Sequence, residues 1–451
     1  MEENILGTEK TGKLFIQYVI PSVIAMVITG MQTIIDGIFV GNFIGEAGLA
    51  SINISQPFMQ IVIGICLVMS IGGLSFLGRS LGEGKTEEAQ DIFKTIYIFL
   101  SITLLLISII GITFSPKIAT LLGANEELLL YAQTYIRIIS FFPLIIGSIF
   151  LFGFTSRILG KPELYLKATL ASIVVNVTLN YIFLAILKTG IGGAAFATGI
   201  AHTVSLYFVI KPVLDKNSQV NLFKGRFVAK YIVPVMYNGS SEGVTSVATA
   251  TSTFIFNLAF MEIAGTSGVA AFTAISYLSL FGGFLIFGIA DGIGSIISYN
   301  FGNEQHNRVI DIMKLSLLSS SIIGIILFAI LSAFAQPLVE IFADNTDVVN
   351  LAVGGAKIYA FAFLLSGFNV ITGGYFTAIG DAKSSIIISA SRGLIFILIG
   401  ITVLPTFLGV NGVWATVPCA ELLTAIFAVY ILKNKNQLVL SNKAINHPEL
   451  S

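Results

Sequence analysis

The chain has 451 residues, 55% of them hydrophobic and only 11% charged, and its 24 basic and 24 acidic side chains cancel to a formal net charge of zero. Soluble domains carry roughly 25% charged residues, so this deficit, with a mean hydropathy of +0.92, excludes a soluble globular protein and points to an integral membrane one. A neutral chain has no basic footprint for nucleic acid. Its apolar runs are too long and uniform for barrel strands, which leaves helices.

Residues Met1 to Lys13 are short and polar, with Glu2, Glu3 and Glu9. They lack the basic start and small-residue cleavage site of a secretory signal, so the first apolar helix is expected to stay in the mature chain. Apolar segments fall at roughly 14–40, 52–78, 92–114, 128–156, 165–187, 192–212, 228–258, 270–300, 309–335, 348–378, 385–407 and 412–432, each long enough to cross a ~30 Å hydrocarbon core. Twelve transmembrane helices in an all-α membrane protein are therefore expected. With the N-terminus cytoplasmic, nearly all Lys and Arg fall inside, including Arg79, Arg157, Lys161, Arg308 and the run from Lys433 to Lys443. The other side keeps only Lys117, Arg137, Lys188 and Lys357. That bias predicts a multi-pass protein of the cell membrane with both termini cytoplasmic.

The first segment carries one carboxylate, Asp36, near its end. An acid at that depth costs roughly 2.5–3.5 kcal/mol on insertion scales. Thr29, Gln32 and Thr33 precede it by seven, four and three positions and share its helix face, while the opposite face is Ile and Val. A polar stripe beside an acid suits a wet cavity and a cation or proton site. The plain alternative is a carboxylate that snorkels to the membrane surface.

The chain also repeats. Shifted by 220 positions, Gly45 meets Gly265, Gly48 meets Gly268, Gly72 meets Gly292, Gly82 meets Gly302, Gly153 meets Gly373, Gly160 meets Gly380 and Gly192 meets Gly412. Small residues help helices pack in lipid, but a single shared register requires two copies of one architecture. Two six-helix lobes are expected, residues 1–220 and 221–451, with the polar stretch Asp215 to Lys230 as linker. Because six is even, both enter the membrane from the same side and are related by a parallel pseudo-two-fold repeat.

Segment five places Thr169, Ser172, Asn176 and Asn180 on one face, and segment six adds Thr198. Asn carbonyls are good ligands for a hard cation; interhelical hydrogen bonding is the alternative use. Segment seven aligns Asn238, Glu242, Ser246 and Thr249, which makes Glu242 a second acidic site or a seat for a substrate cation. Asp291 in segment eight is expected near the cytoplasmic half and partly solvated. Glu421 in segment twelve and Arg392 in segment eleven are candidates for an intramembrane ion pair. Cys66 and Cys419 read as small buried hydrophobes. His202, His306 and His447 do not pair into a metal site. No nucleotide-binding loop and no catalytic constellation is present, so no enzymatic activity, metal or organic cofactor is expected. Ion-gradient-driven transport is what the buried acids suit.

Taken in order, Pro21 with Asp36-Gly37 and Gly45-x-x-Gly48-Leu49-Ala50, Arg79-Ser80-Leu81-Gly82, Arg157-Ile158-Leu159-Gly160-Lys161-Pro162, Asn176-x-x-Leu179-Asn180, and Gly192-Gly193-Ala194-Ala195 with Thr198 form a familiar series. Ser298-Tyr299-Asn300-Phe301-Gly302, Gly380-Asp381-Ala382 and Gly412-Val413-Trp414 continue it in the second half. Over nearly its whole length the chain resembles the multidrug and toxic compound extrusion (MATE) family of secondary transporters. The resemblance implies two six-helix lobes forming a V around a central cavity, and export of amphipathic, often cationic, drugs in exchange for Na+ or H+. In one branch of that family a first-helix Asp works with an Asn and an Asp of the fifth helix and a Thr of the sixth. Asp36, Asn176 and Thr198 match, Asn180 stands where the second acid would be, and a fourth-helix Asn falls at Gly153. In the other branch a seventh-helix Glu works with a tenth-helix Asp; Glu242 matches the first, and the second falls near Ser366.

The expected function is therefore a secondary antiporter working by alternating access on small organic molecules. Asp36, Asn176, Asn180 and Thr198 would hold the coupling Na+ or H+, and membrane lipid and small substrates would be the only partners of a monomer. A flippase or exporter of a lipid-linked or polysaccharide precursor is the alternative. An uncoupled, channel-like or structural membrane protein is a further one.

Overall fold

The computed structural model describes residues 4–342 and 345–446, with side chains as far as 435. Among the described residues every regular element is helical. The membrane-spanning helices are α1 (Thr11–Phe43), α2 (Glu46–Gly82), α3 (Thr86–Leu121), α4 (Glu126–Ile139 with Pro143–Ile158), α5 (Glu163–Ile186) and α6 (Ile191–Val209). A stretch from Ile232 to Gly302 follows, in which Gly265 at φ 63 and ψ −153 breaks the helical path; residues 232–264 are α7 and residues 266–302 are α8. Then come α9 (His306–Ala333), α10 (Thr346–Ala378), α11 (Ala382–Leu408) and α12 (Val410–Lys435). The chain is thus an all-α, multi-pass membrane protein with twelve spanning helices among the described residues.

The fourth segment, read from its apolar run as one helix over 128–156, is two helices bent by 49°. Pro143 opens the second. Proline has no N–H to donate into the preceding turn, and Phe142 before it sits at φ −109 and ψ −1, so the regular ladder is interrupted at Ser140–Phe142. One other expectation is corrected by burial: Cys66 is fully buried, but Cys419 is only half-buried. Arg157, counted among the cytoplasmic basic residues, is buried together with Asp291. His202 is half-buried on α6, and His306, which opens α9, meets the Phe301 ring edge-on at 5.7 Å. His447 lies outside the described residues, as do the side chain of Lys443 and the first three residues.

The 220-residue register is visible in backbone geometry. Gly45 and Gly265 both adopt positive φ at the start of a helix, 91° and 63°, a conformation a Cβ would strain. Gly84 at φ 75 answers Glu304 at φ 56, and Gly160 at φ 81 answers Gly380 at φ 84. Asn125 and Asn345 each cap a helix, accepting from the N–H of Leu128 and of Val348. The Tyr18 hydroxyl donates to the Arg157 carbonyl at 2.8 Å, and Asn238, its counterpart, donates through Nδ2 to the Thr377 carbonyl at 3.0 Å, the counterpart of Arg157.

By packing, the chain forms two compact units. One comprises the residues up to Gly243 with Phe287–Leu315 and Thr377–Gly380; the other comprises Val244–Ile286, Ser316–Phe376 and the residues from Asp381 onward. Inside the first, α2 and α8 cross with their backbones in contact. A Cβ on Gly82 would collide with the Tyr299 carbonyl oxygen, and one on Gly302 with the Arg79 carbonyl oxygen. That reciprocal pair explains why both positions of the repeat are glycine. The obstacle is backbone, so Gly82→Ala is expected to cost about 1–3 kcal/mol by overpacking. A lowered midpoint in a detergent thermostability assay reads this; an unchanged midpoint would place the crossing further apart than described here.

The linker is strapped down in the same unit. Gln90 Nε2 donates to the Asn221 carbonyl at 2.6 Å, and the Asn221 N–H returns a bond to Gln90 Oε1 at 2.8 Å. Lys94 Nζ donates to the Leu222 carbonyl, the Arg226 N–H to Asp91 Oδ1, and the Val228 N–H to Thr95 Oγ1. The polar stretch read as a linker is held along the start of α3.

Candidate functional site

Asp36, on the last third of α1, is half-buried. Asn176 and Asn180 on α5 are 0% and 1% exposed, and their helical spacing turns both amides the same way. Asn180 Nδ2 donates to Asp36 Oδ1 at 2.7 Å and to Asn176 Oδ1 at 3.2 Å. One amide thus ties the carboxylate of α1 to the second amide of α5. Thr169 and Ser172, below them on α5, are also buried.

Three polar atoms of this stripe are buried without a hydrogen-bond partner: Ser172 Oγ, Asn176 Nδ2 and Asn180 Oδ1. Buried polar groups are nearly always paired, so the unpaired atoms on the two amides that meet Asp36 leave capacity for a further partner there. Asn180 Oδ1 and the carboxylate are oxygens of the kind that ligate Na+, and the carboxylate alone could hold a proton. Val40, Leu184, Ile191 and Ala194, with Tyr131 and Tyr135 packed against them, form an apolar cluster beside the site. Immediately after Asn180 the helix widens into a π-helical turn, Tyr181–Ile186, a distortion frequent at functional sites.

Thr198, the fourth residue assigned to this site, is half-buried on α6, and its hydroxyl donates to the Ala194 carbonyl of its own helix at 3.1 Å. The structure therefore brings Asp36, Asn176 and Asn180 together by hydrogen bonds, whereas the Thr198 hydroxyl is engaged locally.

The duplicated architecture supplies an internal control. The counterparts of Asp36 and Asn176 in the second half are Phe256 and Phe396. There Phe256 stacks on Phe272 at 5.2 Å, and Phe260 stacks on Phe272 at 5.3 Å and tilts against Trp414 at 4.4 Å, in an aromatic core. The fold fills this position with rings as readily as with a carboxylate, so it does not itself demand the polar stripe of the first half.

Glu242 is half-buried on α7, close enough to Asp291 of α8 for the two charges to interact. Asp291 is not solvated, contrary to the expectation from sequence. Its side chain is 8% exposed and pairs with Arg157 of α4, 1% exposed, at 2.7 Å. The Arg157 guanidinium lies over the rings of Phe154 and Tyr165 at 5.1 and 4.5 Å. Sequence reading missed this pair because Arg157 stands three residues before the Gly160 turn, where a basic residue normally reaches solvent. In the second unit Arg392 Nε donates to Glu421 Oε1 at 2.7 Å, and Asn369 Nδ2 donates to Glu421 Oε2 at 2.6 Å. Asn369 was not singled out, although Ser366, Asn369 and Thr372 already share one face at spacings of three. Among the described residues no group of three or more His, Cys, Asp or Glu is placed to hold a metal ion.

The MatE family model matches the chain twice, over residues 21–182 and again over residues 243–402. The chain belongs to the MatE family. The two matches are of similar length and fall one in each half, as the glycine register requires. Among relatives, the MatE chain is 24% identical over 436 residues to the multidrug export protein MepA of Staphylococcus haemolyticus, covering 94% of each chain. To the MepA of Staphylococcus saprophyticus it is 24% identical over 451 residues, covering 96% of this chain and 97% of the relative. Among solved structures it matches an outward-facing multidrug resistance MATE transporter with a TM-score of 0.87 at 20% identity, over 98% of this chain and 99% of the other. It also matches a MOP superfamily transporter from Pyrococcus furiosus with a TM-score of 0.89 at 19% identity, over 96% and 98%. These structural likenesses carry the fold; what this MatE chain moves, and against which ion, rests on its own residues.

Proposed function

We propose that this protein is a secondary antiporter of the cell membrane that exports amphipathic, cationic organic compounds in exchange for Na+ or H+, with both termini cytoplasmic. The observation that carries the reading is the Asp36–Asn180–Asn176 cluster: a carboxylate on one helix tied to two buried amides on another, with orphaned polar atoms around it. Full-length relatives named as multidrug export proteins support the direction and the breadth of cargo. The coupling ion occupies the Asp36 cluster, and alternating access exposes it first to one side and then to the other. A lipid-linked precursor would need basic groups free to meet its phosphates. Both Arg157 and Arg392 are instead engaged by carboxylates, which weighs against that cargo.

Purified protein in proteoliposomes tests this with a fluorescent organic cation and with Na+ and pH gradients imposed separately. One coupled charge moving through 100 mV gains about 2.3 kcal/mol, equivalent to a cargo ratio of roughly fiftyfold. Uphill dye movement is expected under one of the two gradients. Downhill movement only, indifferent to both, overturns the proposal.

A further inference from the structure

The ionic cluster of α10, α11 and α12 has features that a structural clasp does not need. Glu421 is 4% exposed and has both carboxylate oxygens engaged, Oε1 by Arg392 and Oε2 by Asn369. Arg392 lies on the outer edge of the pair, its side chain 25% exposed against 5% for Glu421. It also sits inside a π-helical turn, Ser391–Ile395. Such widened turns interrupt the regular ladder and recur at functional sites.

The cluster is also under-satisfied. Ser366 Oγ, Asn369 Oδ1 and Thr372 Oγ1 are buried without a hydrogen-bond partner, on residues 6%, 1% and 0% exposed along one face of α10. Asn369 Oδ1 belongs to the very amide that holds Glu421. A carbonyl oxygen only accepts, so what Asn369 Oδ1 lacks is a donor, and the two hydroxyls could take either partner. Tyr359, hydrogen-bonded with Ser279, lies within electrostatic range of Glu421 and Arg392 and meets Phe363 edge-on at 6.2 Å, adding an aromatic wall. The repeat again shows that the architecture does not impose this: the counterparts of Glu421, Arg392 and Asn369 are Ala201, Ser172 and Ile149.

We propose that Glu421 is a seat for an organic cation bearing N–H groups, an ammonium or a guanidinium, and that Arg392 is its tethered stand-in. This rests on the reading of the chain as an exporter of organic cations. In the state described here the Arg392 guanidinium occupies the carboxylate. When the widened turn lets Arg392 swing out, a cargo cation takes its place on the Glu421 carboxylate, one of its N–H groups meeting Asn369 Oδ1. The exchange replaces one positive charge with another, so the buried carboxylate is never bare, the condition that would be costly. Return of Arg392 then expels the cargo, which makes the arginine a release device.

Equilibrium binding to the full-length protein in detergent, with no gradient present, tests this. Benzylguanidinium is the probe, and tetraphenylphosphonium is the control cation without N–H groups. Arg392→Gln removes the competitor and is expected to tighten benzylguanidinium binding by about tenfold, with a smaller change for tetraphenylphosphonium. The Arg392→Gln/Glu421→Gln double variant is expected to lose that gain. A folded Arg392→Gln protein that binds no tighter than wild type, or a double variant that keeps the gain, overturns the proposal. Should Arg392→Gln not fold, Glu421→Gln decides, because its amide can still meet Asn369. It is expected to weaken benzylguanidinium binding by about tenfold, and unchanged binding rejects the seat. Failure of the antiport reading shows itself separately, as vesicles that bind cargo but ignore both gradients.

Discussion

Asp36→Asn is expected to abolish gradient-driven export while leaving the protein as stable as wild type, or more so. The substitution keeps an oxygen where Asn180 Nδ2 now donates at 2.7 Å, so the tie between α1 and α5 survives. What disappears is the charge. At an effective dielectric of 20, a monovalent cation 4 Å from a carboxylate gains about 4 kcal/mol, so its loss weakens cation binding by about a thousandfold. For a proton the loss is complete, because an amide has no basic site at neutral pH. Stability should move the other way, since a carboxylate within the membrane carries an insertion cost of roughly 2.5–3.5 kcal/mol that an amide largely avoids. The informative result is therefore a pair of measurements: uphill dye transport in proteoliposomes, and the thermal midpoint of the same preparation. Lost transport with a preserved midpoint is expected. Retained gradient-dependent transport would remove Asp36 from the mechanism, and a collapsed midpoint would make it a structural residue.

That Asp36, Asn176 and Asn180 were legible in the sequence has a physical basis. An acid in an apolar run and four polar residues at spacings of three and four are one-dimensional signals, because helical periodicity converts spacing into a face. The glycine register was legible for a related reason: where two backbones touch, as at Gly82 and Gly302, no side chain is tolerated and composition records the contact. What escaped reading depends on where a side chain points once its partner is known. The linker's polarity is used against Gln90, Asp91, Lys94 and Thr95 of α3. The break in α4 falls within Ile138-Ile139-Ser140-Phe141-Phe142-Pro143, apolar enough for hydropathy to bridge it, and Pro143 hints at it.

Arg157 gives the second large expected effect. Its guanidinium is 1% exposed, paired with Asp291, flanked by two aromatic rings, and its backbone carbonyl accepts from Tyr18. Counting basic residues by side of the membrane places Arg157 on the cytoplasmic side, but that rule weighs charge by position and knows nothing of a carboxylate arriving from a helix of the other half. Removing one partner of a buried pair strands the other, so Arg157→Met is expected to destabilise the protein by about 3–5 kcal/mol. Asp291 also lies within electrostatic range of Glu242, a second acidic group of the same cluster. Without Arg157 the Asp291 carboxylate loses the cation paired with it while Glu242 stays within electrostatic range. The Arg157→Met/Asp291→Leu double variant should recover most of the loss, since replacing a buried pair by apolar groups of similar volume is often neutral or stabilising. Monodispersity and thermal midpoint in detergent distinguish the three proteins. A double variant as unstable as Arg157→Met would mean that Arg157 stabilises through its stacking on Phe154 and Tyr165 rather than through the ion pair. A double variant that is stable yet silent in the vesicle assay would extend the role of the pair from folding to transport, with Glu242 left as the one carboxylate of that cluster.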